Sequence, residues 1–152
     1  MTPDTPVPAP HRPSVLFVCV KNGGKSQMAA ALMRRVAGDR VEVHSAGTRP
    51  GAALNDASRA AVEEVGATFD GEHPKPIDPE LLDSVDRVVV LGTEAVIENP
   101  GAAPIEVWDT DEPSLRGIEG PERMRLIRDD VLARVRALAS ELGVEDRGRA
   151  GD

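Results

Sequence analysis

The residues best suited to chemistry lie in one short segment, residues 19–26, which reads Cys-Val-Lys-Asn-Gly-Gly-Lys-Ser. It directly follows the apolar residues 15–18 and precedes a helical pattern, so Cys19 is expected between a strand and a helix. Backbone N–H groups of a glycine-containing loop and of a helix N-terminus converge on anions at such a place. These surroundings also favour the thiolate, which is the nucleophilic form of cysteine. The segment therefore predicts nucleophilic chemistry on an oxyanion.

The elements around this segment alternate between short β-branched runs and helical patterns. This alternation predicts a parallel sheet covered by helices on both faces, an α/β fold. The predicted strands cover residues 15–19, 41–44, 87–91 and 105–107. The predicted helices cover residues 26–36, about 56–65 and 79–84, and a last helix carries an apolar stripe from Met124 to Leu142.

The composition predicts one domain and limits the classes of partner. The chain has 152 residues, of which 40% are hydrophobic, and its 18 basic and 26 acidic residues give a net charge of −8. This acidic balance disfavours nucleic acid as a general partner, so the anion site must be local. A lone cysteine forms no internal disulfide, and neither a membrane span nor a signal peptide is apparent, so we expect a cytosolic protein.

The domain is expected to occupy residues 14–143. Residues 1–13 hold five prolines and little to bury, so they predict a disordered tail. Residues 144–152 are mainly charged and small, and they predict a flexible C-terminal tail.

The cysteine segment is compatible with three interpretations. In the first, Cys19 is a small buried hydrophobe and the glycines only turn the chain. In the second, Gly24, Lys25 and Ser26 end a nucleotide-binding loop of the pattern G-x-x-x-x-G-K-[ST]; however, Cys19 occupies its first glycine position. In the third, the segment is a cysteine-based oxyanion loop of the pattern C-x5-R-[ST], with lysine in place of arginine. Asn22, Gly23 and Gly24 tolerate the left-handed backbone that aims successive N–H groups inward, which favours the third interpretation.

The third interpretation leads to a family resemblance that covers essentially residues 14–142. Residues 19–29 resemble the signature of the low-molecular-weight tyrosine phosphatase superfamily, and particularly of its arsenate reductase branch. The resemblance continues in residues 45–48 (Ser-Ala-Gly-Thr), 78–79 (Asp-Pro), 88–91 and 108–113 (Trp-Asp-Thr-Asp-Glu-Pro). It implies a single-domain, three-layer sandwich with a four-stranded parallel sheet in the order 2-1-3-4.

The resemblance also implies roles for the loop residues. Cys19 falls at the position of the nucleophile, and the Ser26 hydroxyl would donate a hydrogen bond to its thiolate. Asn22 would hold the loop in its strained shape by bonding to Ser45. The oxyanion would be bound by the backbone N–H groups of Val20, Lys21, Asn22, Gly23, Gly24, Lys25 and Ser26, with the two lysines offsetting its charge.

The general acid of this family lies directly before a proline, and that position is Glu112. Glutamate is one methylene longer than the usual aspartate, so Asp111 is kept as the alternative acid. Both also fit a simple solvated acidic loop. His11, His44 and His73 lack the spacing of metal ligands, so no metal site is predicted.

Lys25 is the first informative departure, because most proteins of this fold carry arginine there. A guanidinium grips two oxygens of a tetrahedral anion with a planar fork, whereas an ammonium is a point charge on a flexible stem. Phosphoryl transfer should suffer from this exchange. Arsenic(V) exchanges its oxygen ligands far more readily than phosphorus does. Chemistry on arsenate should therefore tolerate weaker binding of the anion's oxygens by the side chain at position 25.

The second departure concerns the source of electrons. Thioredoxin-coupled relatives carry two further cysteines after the third strand, but residues 92–100 contain none. Reduction of arsenate needs two electrons, so a chain with one thiol must take the second thiol from solution. The resemblance is greatest to the arsenate–mycothiol transferases. It implies mycothiol as the co-substrate, no bound cofactor, and a mycoredoxin that completes the reduction.

Two other functions remain open at this point. The chain could be a low-molecular-weight protein tyrosine phosphatase, although it has no tyrosine and few aromatic residues for a substrate platform. It could also be a non-catalytic anion-binding module, in which Lys25 marks the loss of activity.

Overall fold

The fold is a four-stranded parallel sheet with helices on both faces, described for residues 12–144 in a computed structural model. The strands follow the order β2-β1-β3-β4, so the predicted fold class and strand order are confirmed. The strands are β1 (Ser14–Cys19), β2 (Glu42–Gly47), β3 (Arg87–Leu91) and β4 (Ile105–Trp108). The α-helices are α1 (Lys25–Ala37), α2 (Asp56–Glu63), α3 (Pro79–Ser84) and α4 (Gly120–Glu141), with 3-10 turns at Gly38–Arg40 and Pro113–Arg116.

The two faces of the sheet bury separate apolar cores. Alternate residues of a strand point to opposite faces, so Val15 and Phe17 pack on one side while Leu16 and Val18 pack on the other. The first face is covered by α1, α2 and α4, and the second by α3. Because both faces are covered, the central strand β1 is fully buried up to Val18, and this fixes where Cys19 emerges.

Strand β2 extends three residues beyond the predicted end at His44. Parallel pairing continues until Gly47 lies opposite Cys19, and the Gly47 amide donates to the carbonyl of Lys75. A Cβ atom at Gly47 would lie 2.7 Å from the Val20 carbonyl oxygen and 3.0 Å from the Asn22 amide. The end of β2 therefore packs so closely against the cysteine loop that only glycine fits at position 47.

Helix α2 ends two residues before the predicted end at Val65. The amide of Ala67 donates to the carbonyl of Val62, and Gly66 has a φ of 84°. A left-handed glycine after a helix closes it by such backward hydrogen bonds. The other predicted elements are present with ends shifted by at most two residues, apart from the longer β2 and the start of α4 at Gly120.

The predicted tails lie mostly outside the described residues, as does His11. Within residues 12–144, no helix has both the length and the apolar character to span a bilayer.

Candidate active site

The loop between β1 and α1 turns its carbonyl groups outward. Four of these carbonyl groups accept hydrogen bonds of 2.7 to 3.0 Å from backbone amides of the segment that follows β2. The amides of Thr48, Arg49, Gly51 and Asn55 donate to the carbonyls of Cys19, Val20, Lys21 and Gly23, respectively. In a trans peptide the C=O and the next N–H point in opposite directions. The N–H groups of Val20, Lys21, Asn22 and Gly24 therefore face the inside of the loop.

The sulfur of Cys19 contacts one amide of this loop and one hydroxyl of the following helix. The Asn22 amide donates to Cys19 Sγ at 3.2 Å, and Ser26 Oγ lies 2.9 Å from the same sulfur. Helix α1 begins at Lys25, and Gly24 provides no side chain to cap it. The N–H groups of its first turn thus remain available to an anion beside the thiol.

Hydrogen bonding directs the Ser26 hydroxyl toward the sulfur. Asn22 Nδ2 donates to Ser26 Oγ at 2.8 Å, so the serine oxygen already accepts one hydrogen bond. The orientation of the Asn22 amide is fixed because Gln27 Nε2 and the Lys75 backbone N–H both donate to its Oδ1, each at 3.1 Å. The serine hydrogen is therefore free to donate to the thiolate. This agrees with the arrangement expected for Ser26.

Asn22 is the strained residue of the loop. Its φ of 54° is the only positive value for a non-glycine residue within residues 12–144, and its side chain is fully buried. Asparagine tolerates the left-handed region better than most residues, and its hydrogen bonds to its surroundings hold it there. Gln27 Nε2 also donates to the Asn22 carbonyl at 3.2 Å, so the same residue secures both the side chain and the backbone.

The predicted bond from Asn22 to Ser45 is replaced by a bridge through Lys75. Lys75 Nζ lies 3.1 Å from Ser45 Oγ and 3.5 Å from Asn22 Oδ1, and no direct Asn22–Ser45 hydrogen bond occurs in the described part of the chain. The ammonium also contacts Glu72 Oε1 at 3.4 Å and the His73 carbonyl at 3.1 Å. A partly buried cation therefore joins the loop to the end of β2.

Lys21 and Lys25 are the cations nearest to the loop in sequence. Lys25 is half-buried and Lys21 is exposed, and across residues 12–144 neither ammonium forms a hydrogen bond or ion pair. Their charges are therefore not neutralised by a carboxylate of this part of the chain. This leaves both available to an anion held over Cys19.

Both candidate general acids are engaged in ion pairs. Glu112 accepts hydrogen bonds from Arg123 Nη2 at 2.7 Å and Nε at 2.8 Å, and from Ser114 Oγ at 2.8 Å. These bonds, above all those from Arg123, lower the pKa of Glu112 to about 2. Arg116 pairs with Asp111 at 2.7 Å and lowers the pKa of that carboxyl as well. In this arrangement neither carboxyl carries a proton at neutral pH, which does not support the expected acid role.

The remaining polar candidates have structural contacts. His44 lies 2.9 Å from Glu42, and His73 supplies its carbonyl to Gln27 and Lys75. No cluster of three or more metal-ligating side chains occurs among residues 12–144. Trp108 is buried, with its ring 5.8 Å from that of Phe17.

Sequence reasoning missed Gln27 and Lys75 as members of the site. Gln27 follows the loop motif directly and is fully buried, so a polar residue in the first turn of an apolar helix was the available signal. Lys75 lies 53 residues from Asn22 in a proline-flanked loop, where no local pattern indicates its contact.

We predict that Lys75→Met weakens binding of phosphate to the loop by about tenfold, since a hydrogen bond to a charged group is worth about 1.5 kcal/mol. The backbone N–H of Lys75 and the side chain of Gln27 still hold Asn22, which limits the loss. The measurement is phosphate affinity by calorimetry, together with the rate of Cys19 alkylation by iodoacetamide. Arg35→Met, which removes an exposed positive charge from α1, is the control. Equal affinities in the two variants would contradict a positioning role for Lys75.

We predict that Glu112→Gln lowers the free energy of unfolding at neutral pH by about 1 kcal/mol, a small value because both partners of the pair are partly exposed. The pKa of Glu112 is lower in the folded chain, so the unfolded chain binds more protons between the two pKa values. The difference from the original protein should therefore shrink as the pH falls from 4.5 to about 2.

Urea unfolding across this pH range measures the effect, and Arg123→Met with the double variant completes a mutant cycle. A difference that does not change with pH would show that the ion pair does not stabilise the folded chain.

Comparisons with known proteins identify the family. The profile of the low molecular weight phosphotyrosine protein phosphatase family matches residues 14–147. An arsenate reductase of Brevibacillus brevis is 32% identical over 133 residues, which is 85% of this chain and 96% of that protein. An arsenate reductase of Bacillus anthracis is 31% identical over 136 residues, which is 88% of this chain and 98% of that protein.

Solved structures agree with these relatives. A thioredoxin-dependent arsenate reductase of Corynebacterium glutamicum superimposes with a TM-score of 0.74 and 29% identity, covering 89% of this chain but 64% of that longer chain. A tyrosine phosphatase of Erwinia amylovora has a TM-score of 0.72 at 11% identity over 86% of this chain and 93% of its own, and shares the fold. Together with the geometry of the cysteine loop, these findings show that the chain belongs to the low molecular weight phosphotyrosine protein phosphatase family, in its arsenate reductase branch.

Proposed function

We propose that this protein is an arsenate reductase that works as an arsenate–thiol transferase. The observation that carries the proposal is Cys19 itself: its sulfur accepts a hydrogen bond from the Asn22 amide and lies 2.9 Å from Ser26 Oγ, and it is the only thiol in the chain. The family relatives named arsenate reductase support arsenate as the substrate. Such an activity would serve arsenic detoxification.

Arsenate would bind as a tetrahedral anion over the Cys19 sulfur. The inward N–H groups of residues 20–26 would contact its oxygens, and the two unpaired ammonium groups of Lys21 and Lys25 would offset its charge. The amides are held in place before substrate arrives, because their carbonyl partners are already bonded to residues 48–55. Such preorganisation stabilises charge without the reorganisation that water would need.

The first step would be nucleophilic substitution at arsenic. The Cys19 thiolate forms a sulfur–arsenic bond, and one arsenic–oxygen bond breaks, with the oxygen leaving as water after protonation. The thiolate of an external thiol then forms a bond to arsenic, and the electron pair of the Cys19–arsenic bond returns to Cys19. Arsenic remains in the +5 state in both exchanges, so the product is a thiol–arsenate adduct and a regenerated thiolate.

Mycothiol is our proposed external thiol, and a mycoredoxin the proposed reductant. A mycoredoxin thiolate would attack the mycothiol sulfur, and the sulfur–arsenic bonding pair would pass to arsenic. The products are a mixed disulfide and arsenite, which balances the two electrons gained by arsenic. The single cysteine motivates this scheme, since the chain cannot form a disulfide with itself.

For Glu112 to protonate the leaving oxygen, its bonds to Arg123 would first have to open. The same holds for Asp111 and Arg116. The acid role of either residue therefore stays a prediction. A loop movement on anion binding would be needed to fulfil it.

We predict that the purified protein releases arsenite from arsenate only when mycothiol and a mycoredoxin system are both present. Cys19→Ser should abolish this release, because a serine hydroxyl is not ionised at neutral pH. The readout is arsenite by chromatography with elemental detection, and protein-free incubations give the background. Release no faster than background, with phosphate or arsenate still bound, would instead indicate a non-catalytic anion-binding module.

We predict that the original protein hydrolyses p-nitrophenyl phosphate poorly and that Lys25→Arg raises this activity by about tenfold. A second charge-assisted hydrogen bond from a guanidinium is worth about 1.5 kcal/mol, equivalent to roughly a tenfold rate change. Arsenite release should change much less. Arg35→Lys, an exposed exchange elsewhere on α1, is the matched control. Efficient aryl phosphate hydrolysis by the original protein would favour the tyrosine phosphatase function instead.

A further inference from the structure

A cavity of about 710 Å³ adjoins the cysteine loop on the α3 side of the sheet. One wall is formed by Val20, which follows Cys19 directly, and by Thr48, whose amide donates to the Cys19 carbonyl at 3.0 Å. The lining also includes Glu94 and residues 96–99, in the loop after β3. This volume lies within the range of small-molecule and cofactor sites. A molecule bound there would lie beside the cysteine loop, next to the residue that follows the nucleophile.

The proposed reaction requires a second molecule close to the cysteine loop. Arsenate would occupy the amide ring itself, and the donor of the second sulfur must reach arsenic while it is held by Cys19. Amides of residues 48–55 close off the outer side of the loop by hydrogen bonding. The cavity provides space for a donor beside the loop.

The cavity lining combines an apolar surface with an excess of negative charge. Val20, Ile77 and Val96 contribute apolar contact, and Val96 is 69% exposed. The charged side chains of the lining are Arg49, Glu94 and Glu98, which leave a net charge of −1. Carboxylates accept hydrogen bonds from hydroxyl and amide groups but repel another carboxylate. The lining therefore suits an uncharged, hydroxyl-rich molecule better than an anionic one.

We propose that this cavity binds the external thiol, and that Glu94 and Glu98 select a neutral, hydroxyl-rich thiol over thiols that carry free carboxylates. The inference rests on the proposed transferase function and adds the site and the chemical class of its co-substrate. The bound thiol loses its proton to solvent, its sulfur bonds to arsenic, and the Cys19 sulfur–arsenic bond breaks with its electron pair returning to Cys19.

The kinetic test compares a neutral thiol with an anionic one. Besides its thiol, mycothiol carries hydroxyl, amide and glycosidic ether groups and neither a carboxylate nor an ammonium, whereas glutathione carries two carboxylates and one ammonium. In the variant Glu94→Lys/Glu98→Lys, the KM for mycothiol should rise and that for glutathione should fall, so that their ratio changes by about tenfold, while the KM for arsenate stays within about twofold. Glu63→Lys, which makes a single charge reversal of the same kind on α2 away from the cavity, should leave the ratio unchanged. An unchanged ratio in the double variant would overturn the proposal.

A binding test separates this proposal from the proposed function. S-methyl mycothiol, which cannot react, is titrated into isotopically labelled, phosphate-loaded protein, and amide chemical shifts are followed by NMR. Shifts at Thr48 and Val96, and weaker binding of S-methyl glutathione, are expected even if arsenite never forms. Shifts elsewhere, or no binding of S-methyl mycothiol, would overturn the cavity assignment. Absence of arsenite with intact binding at Thr48 and Val96 would refute only the transferase function.

Discussion

The hydrogen bonds that hold Asn22 in a left-handed conformation determine how the rest of the site is arranged. At this residue the backbone reverses so that its amide points at the Cys19 sulfur. The side chain then orients Ser26 toward the same atom. A left-handed asparagine costs free energy, and it persists because Gln27 and Lys75 donate to it from two sides. The placement of hydrogen-bonding groups around the sulfur is therefore a tertiary property, although the two residues that contact the sulfur lie within seven residues of Cys19 in sequence.

The sequence predicted much of this arrangement because the governing signals are local. β-Branched runs that alternate with apolar patterns of helical spacing predicted the parallel sheet. The order of strand, loop and helix predicted that Cys19 lies near the N-terminus of α1. Strand order came from the family resemblance, not from any residue pattern. The role of Ser26 came from the same resemblance. The sheet and the place of Cys19 depend on neighbours within a few residues, which periodicity and turn chemistry describe well.

The parts that sequence reasoning missed depend on contacts between distant segments. Lys75 reaches Ser45 and Asn22 only because the loop before α3 crosses the end of β2. Nothing in a lysine next to a proline indicates that its ammonium will be enclosed by four acceptors. The pairing of Glu112 with Arg123 has the same origin, since it joins the acidic loop to the first turns of α4. A carboxylate before a proline looks the same in sequence whether it is free or paired.

Two departures from a phosphatase site affect the same step of the reaction. Lys25 places a compact ammonium charge where the arginine usual in this fold would bind two oxygens with its planar guanidinium. Glu112 and Asp111 are ion-paired and carry no proton to donate at neutral pH. Hydrolysis of a phosphate ester depends on both a tight clamp and a protonated leaving group, so each departure weakens it. Exchange of oxygen on arsenic(V) is intrinsically faster and depends less on either. Under the proposed mechanism, the lack of a second cysteine means that an external thiol would receive the arsenic, so all three features are compatible with one substrate and one type of transfer.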